Sequence, residues 1–346
     1  MLAAKAFARE NQGMARDDHF DSKLRDAAST VPSYRHGMIR TVMNRSDWAT
    51  MLALAVIWGG AFLCISVAVQ SVPPLTYVWV RLTIAAAGLW LFLAWRGQKA
   101  GLPRSIWGAM LVLALLNNII PFILFGWGQT HIASGLASIL NATTPIWGVI
   151  VAHVFTSDER LTPRKLAGIL LGFGGVALMI GPDLLSSIGN DVLAQLACVT
   201  AALLYALAGV WARRFRRQGV TPISVATGQL TVGALVMLPV ALTFDRPWEQ
   251  AFPPLPAIGA IVTLALLCTA FAYILYFRLI DSAGATNALL VTLLVPPIAI
   301  LMGWLFLGEV IDPRDFAGMG FIALGLAAID GRLLSLFSPA PRRQEA

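Results

Sequence analysis

Charge is what this chain lacks most. Asp, Glu, Lys and Arg make up 12% of its 346 residues, while the hydrophobic set reaches 58%; soluble globular domains carry ~25% charge and roughly 45–50% apolar residues. That much apolar surface has no solvent in water, which points to lipid. From Ser105 to Ser157 there is no Asp, Glu, Lys or Arg at all. Cysteine is equally sparse: Cys64, Cys198 and Cys268 are odd in number and unpaired in spacing, so no disulfide or metal framework is expected. The four histidines and the acids form no ligand cluster, and no phosphate-binding loop occurs. No metal, no cofactor, no ATP-driven cycle and no catalytic residue is therefore expected from the chain itself.

What charge there is has a pattern. Residues 1–47 hold eight Lys/Arg and six Asp/Glu with no apolar run, which predicts a mostly disordered polar tail and no cleavable secretory signal. Met38 and Met43 offer further starts within it. From Trp48 onward the sequence is a series of apolar blocks, each near the ~20 residues that a helix needs to cross a bilayer core. Ten spans are expected: 48–69, 75–95, 105–127, 133–155, 164–181, 191–212, 222–243, 256–278, 285–307 and 314–332. With the N-terminus inside, 22 of the 25 Lys/Arg fall on the cytoplasmic side and only Arg81, Arg246 and Arg314 towards the outside. This bias sets topology, with both termini in the cytoplasm and a 335–346 tail. It also accounts for the net charge of +7 without nucleic acid.

A repeat organises the spans. Comparing each position from Ala133 to Gly181 with the one 150 residues later gives eleven identities in forty-nine positions. They include Glu159/Glu309, Pro163/Pro313, Arg164/Arg314, Ala167/Ala317 and Gly168/Gly318. The expected fold is thus an all-α integral membrane protein with ten transmembrane helices as two inverted five-helix repeats, 48–182 and 191–334. Five helices per repeat is an odd number, so the second copy enters the membrane the opposite way. Inverted repeats with a site between them near the midplane are a signature of secondary transporters.

The residues carry a family resemblance over about 48–332. Trp58-Gly59 lies in the first span, Arg81-Leu82 opens the second, Pro145 stands fourteen residues before Glu159, and Pro296 thirteen before Glu309 in LFLGEVI. With LLCTAFAYILYFRLIDSAGAT near the eighth span, the chain resembles the EamA transporters of the drug/metabolite transporter superfamily. FTSDERLT departs from that pattern by one extra residue before Glu159. The resemblance implies a secondary carrier of small metabolites in the cell's inner membrane, often an exporter of amino acids. A lipid- or isoprenoid-directed membrane enzyme is the alternative, and it would need carboxylate or His machinery that is missing here.

Polar side chains deep in a bilayer are expensive, so they mark the candidate substrate site. Asn117-Asn118 lies mid-span with Pro121 one turn on. Asn141 and Thr144 precede Pro145, and Thr292 precedes Pro296; each proline leaves a helix carbonyl without its donor. Trp58 and Tyr205 add aromatic surface at the centre of repeat-related spans, and Tyr273 and Tyr276 add more. Arg81 is the one formal charge well inside a span, placed either to reach the external surface or to attract an anionic group. Glu159 and Glu309 are expected to be structural markers of the repeat, capping and pairing with neighbouring arginines at the turn into the next helix. Interhelical bonding and packing compete with every one of these assignments. The expected partners are a small-molecule substrate and the bilayer, with the chain a monomer or a homodimer; no nucleic acid is expected.

Overall fold

The computed structural model describes residues 44–155, 162–186, 190–283, 288, 291–310 and 312–330. Among these residues every regular element is helical. In chain order they are α1 (Arg45–Val69), α2 (Pro74–Trp95), α3 (Arg104–Gly128), α4 (Ser134–Asn141), α5 (Thr144–Phe155) and α6 (Pro163–Ser186). There follow α7 (Asn190–Arg217), α8 (Pro222–Val240), α9 (Leu255–Ala265), α10 (Ala272–Ala283), α11 (Val291–Met302) and α12 (Pro313–Asp330). Seven stretches are long and apolar enough to cross a membrane: Arg45–Val69, Pro74–Trp95, Arg104–Gly128, Ser134–Phe155, Asp191–Phe215, Pro222–Phe244 and Leu255–Ile280. They match seven of the ten expected spans. For the other three, shorter apolar stretches are described at Lys165–Leu178 and Leu294–Leu307, and α12 runs over the expected tenth. The expected polar tails lie outside the described residues, apart from 44–47.

Side-chain size shows what solvent surrounds the bundle. Ala55, Ala85, Ala114, Ala201 and Ala202 are completely buried, whereas Leu91, Leu170, Leu235 and Leu324 are between 62% and 72% exposed. In water that inversion would forfeit the hydrophobic driving force. In lipid it is the favourable arrangement, because tails solvate leucine as well as a core does and small residues let helices approach.

The tightest approach is between α6 and α12. A Cβ built on Gly175 would lie 2.5 Å from the Gly318 carbonyl oxygen, and one on Gly325 would lie 2.5 Å from the Gly168 carbonyl oxygen. These two contacts interchange when 150 is added to the first-half residues, since 168 pairs with 318 and 175 with 325. Other helix contacts interchange in the same way: α1 on α11 with α7 on α4–α5, and α1 on α9–α10 with α7 on α3, while α2 meets α8.

Three helix N-termini are closed by carboxylates, two of them brought from a distant part of the chain. Asn44 and Asp47 form a reciprocal capping box at α1 (Asn44 N to Asp47 Oδ2 3.0 Å, Asp47 N to Asn44 Oδ1 2.8 Å). Asp47 also accepts from Ser282 Oγ of α10 at 2.8 Å. Asp245, in the π turn after α8, accepts from Thr76 N and Oγ1 at 2.6 and 2.9 Å and so caps α2. Negative charge is favoured there, where unpaired N–H groups and the helix dipole meet.

Glu309 does the same for α4. Gly308 takes a left-handed conformation (φ 65°) at the end of the π turn Gly303–Leu307, one that glycine adopts without strain. The following Glu309 accepts from Ser134 N (2.9 Å), Ser134 Oγ (2.7 Å) and Gly135 N (3.3 Å). Glu309 thus caps a helix of the other half and not the turn into the next helix. Arg314, its expected neighbour, instead lies 3.5 Å from Asp312, because the carboxylate of Glu309 is directed to the open N–H groups of α4. Glu159 lies outside the described residues. Replacing Glu309 by Ala is expected to lower stability by ~1–2 kcal/mol, the cost of losing a helix cap, measurable as a drop in melting temperature of the detergent-solubilised protein.

Candidate functional site

Two π turns carry the residues of one polar network in the bundle. α3 contains a π turn at Leu115–Ile119, and α9 is joined to α10 by another at Leu266–Phe271. A π turn opens the backbone spacing and re-aims the side chains in it, and such turns are frequent at functional sites. The first carries Asn117 and Asn118; the second carries Cys268 and Thr269.

Arg81 of α2 is directed inward onto the second of these turns. Its side chain is 5% exposed, so it does not reach the external surface. Nε donates to Thr269 Oγ1 at 3.1 Å and Nη1 to Tyr77 Oη at 3.0 Å. The guanidinium carbon stands 3.7 Å over the ring of Phe122 from α3. Thr269 Oγ1 itself donates to the Leu264 carbonyl at 2.7 Å, which leaves its oxygen to accept from Arg81. Every one of these partners is neutral, and no carboxylate among the described residues pairs with Arg81. Two of the five N–H donors of a guanidinium are thus bonded within the protein.

A network of amides adjoins it. Asn117 Nδ2 donates to Gln229 Oε1 of α8 at 3.2 Å and to Tyr273 Oη of α10 at 3.3 Å. Asn118 Nδ2 donates to the same Tyr273 oxygen at 3.2 Å. Asn118 is completely buried, yet its Oδ1 has no hydrogen-bond partner among the described residues. Tyr273 and Tyr205 both lie close enough to Arg81 to interact with it through space. Two runs of aromatic rings flank this network. Trp58 packs on Tyr276 at 5.3 Å between centroids, and Phe277 links Tyr276 to Tyr273. Tyr205 stacks on Phe125 at 6.1 Å, and Phe125 meets Phe62 edge-on.

The structure thus brings together Arg81, Asn117, Asn118, Tyr205 and Trp58 among the expected residues, with a second group elsewhere. Among the described residues Thr144 Oγ1 bonds locally, to the Asn141 carbonyl at 2.7 Å and to Asn141 Oδ1 at 3.4 Å. These residues bracket the break between α4 and α5, where Pro145 is the second residue of α5. Pro296 and Pro297 sit inside α11, which continues through them, with Thr292 in its first turn. The two proline regions are therefore unlike each other: one starts a helix after a break, the other lies within a continuous helix.

Four partners were not selected from the sequence: Tyr77, Phe122, Gln229 and Thr269. Gln229 carried a usable signal, a lone amide in an uncharged span. For Thr269 and Phe122 there was none, since a threonine or phenylalanine in an apolar helix is ordinary. An open apolar groove bounded by Gly88, Leu91, Phe92 and Trp95 has no polar side chain with which to bind a metabolite.

Known proteins resemble this chain over most of its length. The chain is 24% identical over 276 residues to the uncharacterized transporter YoaV of Bacillus subtilis, covering 80% of this chain and 94% of that protein. It is 26% identical over 307 residues to a probable terminal-alkyne amino-acid exporter of Streptantibioticus cattleyicolor, with 88% and 97% covered. It is 27% identical over 305 residues to the uncharacterized inner membrane transporter YedA of Escherichia coli K12, with 86% and 96% covered. A solved crystal structure with 19% identity superposes with a TM-score of 0.61 over 85% of this chain and 99% of its own, a likeness of fold. The model of the EamA-like transporter family matches twice, at residues 48–181 and 192–329. A multi-pass membrane protein with apolar helices in both matched regions, this chain belongs to the EamA-like transporter family of the drug/metabolite transporter superfamily.

Proposed function

We propose that the chain is a secondary transporter that exports small metabolites such as amino acids, by alternating access between two inverted five-helix repeats, 48–182 and 191–334. The observation that carries this reading is where the polar network sits. Arg81, Asn117 and Asn118 come from the first half, and Gln229, Thr269 and Tyr273 from the second, and their hydrogen bonds cross between the halves. A transporter of inverted repeats places its substrate at that junction, so that rocking one half against the other exposes the site to each side in turn. The interchanging contacts of α6 with α12 support the two-fold relation of the repeats. Relatives that are named transporters, one an amino-acid exporter, support the substrate class. In this reading the chain lies in the inner membrane with both termini cytoplasmic, as a monomer or homodimer. Arg81 attracts an anionic group of the substrate. Trp58, Asn117, Asn118 and Tyr205 line the central site, with Asn141, Thr144, Pro145, Thr292 and Pro296 along the path.

Two measurements test it. Replacing Asn117, Asn118 or Trp58 by Ala is expected to lower efflux of the exported metabolite from overexpressing cells while leaving the amount of protein in the membrane unchanged. Wild-type flux in all three variants would sink the site assignment. For the topology, a cysteine introduced beside Asp183 is expected to react with an impermeant maleimide from outside, and one beside Arg216 only after permeabilisation. The reverse labelling pattern would remove the inverted-repeat reading.

A further inference from the structure

The C-terminal part of α2 carries a feature that the polar network does not use. Gly88, Leu91, Phe92 and Trp95 bound an open apolar groove of about 420 Å³. They stand on successive turns of one helix face, so the groove runs ~10.5 Å along the axis at ~1.5 Å per residue. One leaflet's share of a ~30 Å hydrocarbon core is ~15 Å, so a groove of this length fits inside a single leaflet. At its deep end Gly88 has no side chain, which lets α2 approach the π turn Leu266–Phe271. A Cβ there would stand 3.0 Å from Leu266 Cδ2 and 3.7 Å from Ala270 Cβ. At its shallow end Trp95 is 78% exposed, in the place along a span where tryptophan meets the headgroups. Phe92 and Trp95 form its wall, with ring centroids 6.2 Å apart.

The extent of the open face decides what kind of molecule fits it. Further along the same stripe Arg81 and Tyr77 are buried in the bundle, so the opening ends near the middle of α2. A partner's transmembrane helix needs an open face over the whole span, whereas an acyl chain needs one leaflet. The charge beyond the groove decides which lipid. Trp95 is followed directly by Arg96, the C-cap of α2, and then by Lys99 and Arg104, all three exposed. No Asp or Glu occurs from Trp48 to Ser157, and none from Val192 to Phe244, a stretch that includes α8, which packs along α2. A phosphate at the shallow end therefore meets three cations and no carboxylate of α2, α3 or α8. We propose that this end of α2 is a binding site for an anionic phospholipid, from the leaflet that is cytoplasmic in the topology given above. One acyl chain lies in the groove, and Arg96, Lys99 and Arg104 hold the phosphate and headgroup, as basic segments next to a span attract anionic lipid. The site does not depend on what the chain transports.

The test is native mass spectrometry of the full-length protein, released from nanodiscs that hold equal amounts of dioleoylphosphatidylglycerol and dioleoylphosphatidylcholine. The two lipids share their acyl chains and differ in net charge. Wild type is expected to retain phosphatidylglycerol over phosphatidylcholine by at least about twentyfold, at about fivefold for each cation that meets the anion. Arg96→Gln combined with Lys99→Gln is expected to bring the two lipids to within about fivefold of each other. Arg45→Gln combined with Arg217→Gln removes the same charge from α1 and α7 and is expected to leave the preference unchanged. Gly88→Leu fills the groove, the tip of Leu266 swinging aside, and is expected to lower retention of phosphatidylglycerol by at least about tenfold, the loss of a buried acyl segment. Should Gly88→Leu fail to fold, p-benzoylphenylalanine in place of Trp95 is expected to crosslink to phosphatidylglycerol in preference to phosphatidylcholine. Equal retention of the two lipids by wild type, equal loss from both charge pairs, or crosslinking without preference overturns the site in favour of a general attraction to the basic face. Unchanged retention in Gly88→Leu, or displacement of the lipid by millimolar glycerol phosphate, overturns the placement of the acyl chain and leaves a site for a soluble anion.

Discussion

Replacing Arg81 by Leu is expected to reduce transport at least a hundredfold and yet to leave the folded protein as stable as before, or more so. The two halves of this expectation have different physical origins. Arg81 is held by the Thr269 and Tyr77 hydroxyls and the face of Phe122, all neutral. Each neutral hydrogen bond has a net worth of ~0.5–1.5 kcal/mol, whereas taking an ion out of water costs several kcal/mol even after relaxation. The site therefore holds the guanidinium at a net cost to the fold. Leucine removes that cost, fills similar space among Phe122 and its neighbours, and frees Thr269 to keep its bond to the Leu264 carbonyl. What is lost is the charge that, in the proposed function, attracts the substrate. The measurement pairs flux in proteoliposomes with the melting temperature in the same detergent. A variant that transports normally would show that Arg81 is a packing residue. One that unfolds would show that the cation stabilises the bundle.

The second large effect is on assembly. Gly175→Ala and Gly325→Ala are each expected to destabilise the protein by ~1–3 kcal/mol, the range for overpacking a tight contact. The atoms that a new methyl would meet are backbone carbonyls, of Gly318 and Gly168 respectively, and these cannot swing aside as a side-chain tip can. α6 and α12 must move apart instead. Because the two contacts lie on one helix pair, the double variant should cost less than the sum of the single ones, the first separation having relieved the second clash. Gly174 and Gly320 supply internal controls: a methyl at either would meet nothing within 4 Å. Alanine there is expected to be neutral or to stabilise the helix by ~0.5–1 kcal/mol. Equal melting temperatures for all four single variants would show that the close crossing does not contribute to stability.

Much of the fold was legible because its signals are local. Seven expected spans agree to within a few residues with helices long and apolar enough to cross a membrane, since hydropathy over some twenty residues reports directly on the solvent of a helix. The 150-residue repeat was equally legible, and the family model matches once in each half. The site was legible in part. Asn117 and Asn118 stand out in a span without charge, and Arg81 stands out in any span, because polar groups in lipid are costly enough to need a reason. Glu309 was readable as a cap but not as a cap for α4, since nothing near it in sequence identifies Ser134, 175 residues away, as its partner. The proline rule misled by treating Pro145 and Pro296 alike, when only the first adjoins a broken helix.

Composition and hydropathy alone determined that the chain lives in lipid and where its helices run, because burial of apolar backbone segments is a property of each segment taken singly. The repeat alone pointed to two related halves. Which side chains meet was decided by tertiary structure. The π turns at Leu115–Ile119 and Leu266–Phe271 re-aim the side chains of Asn117, Asn118 and Thr269. The packing of α2, α3, α8 and α10 then sets whether Arg81 faces lipid, water or Thr269. A rotation of a helix by one residue, about 100° around its axis at 3.6 residues per turn, leaves its hydropathy unchanged and turns Arg81 away from its partners. The charge is visible in the sequence, and its neutral surroundings are visible only in the folded bundle.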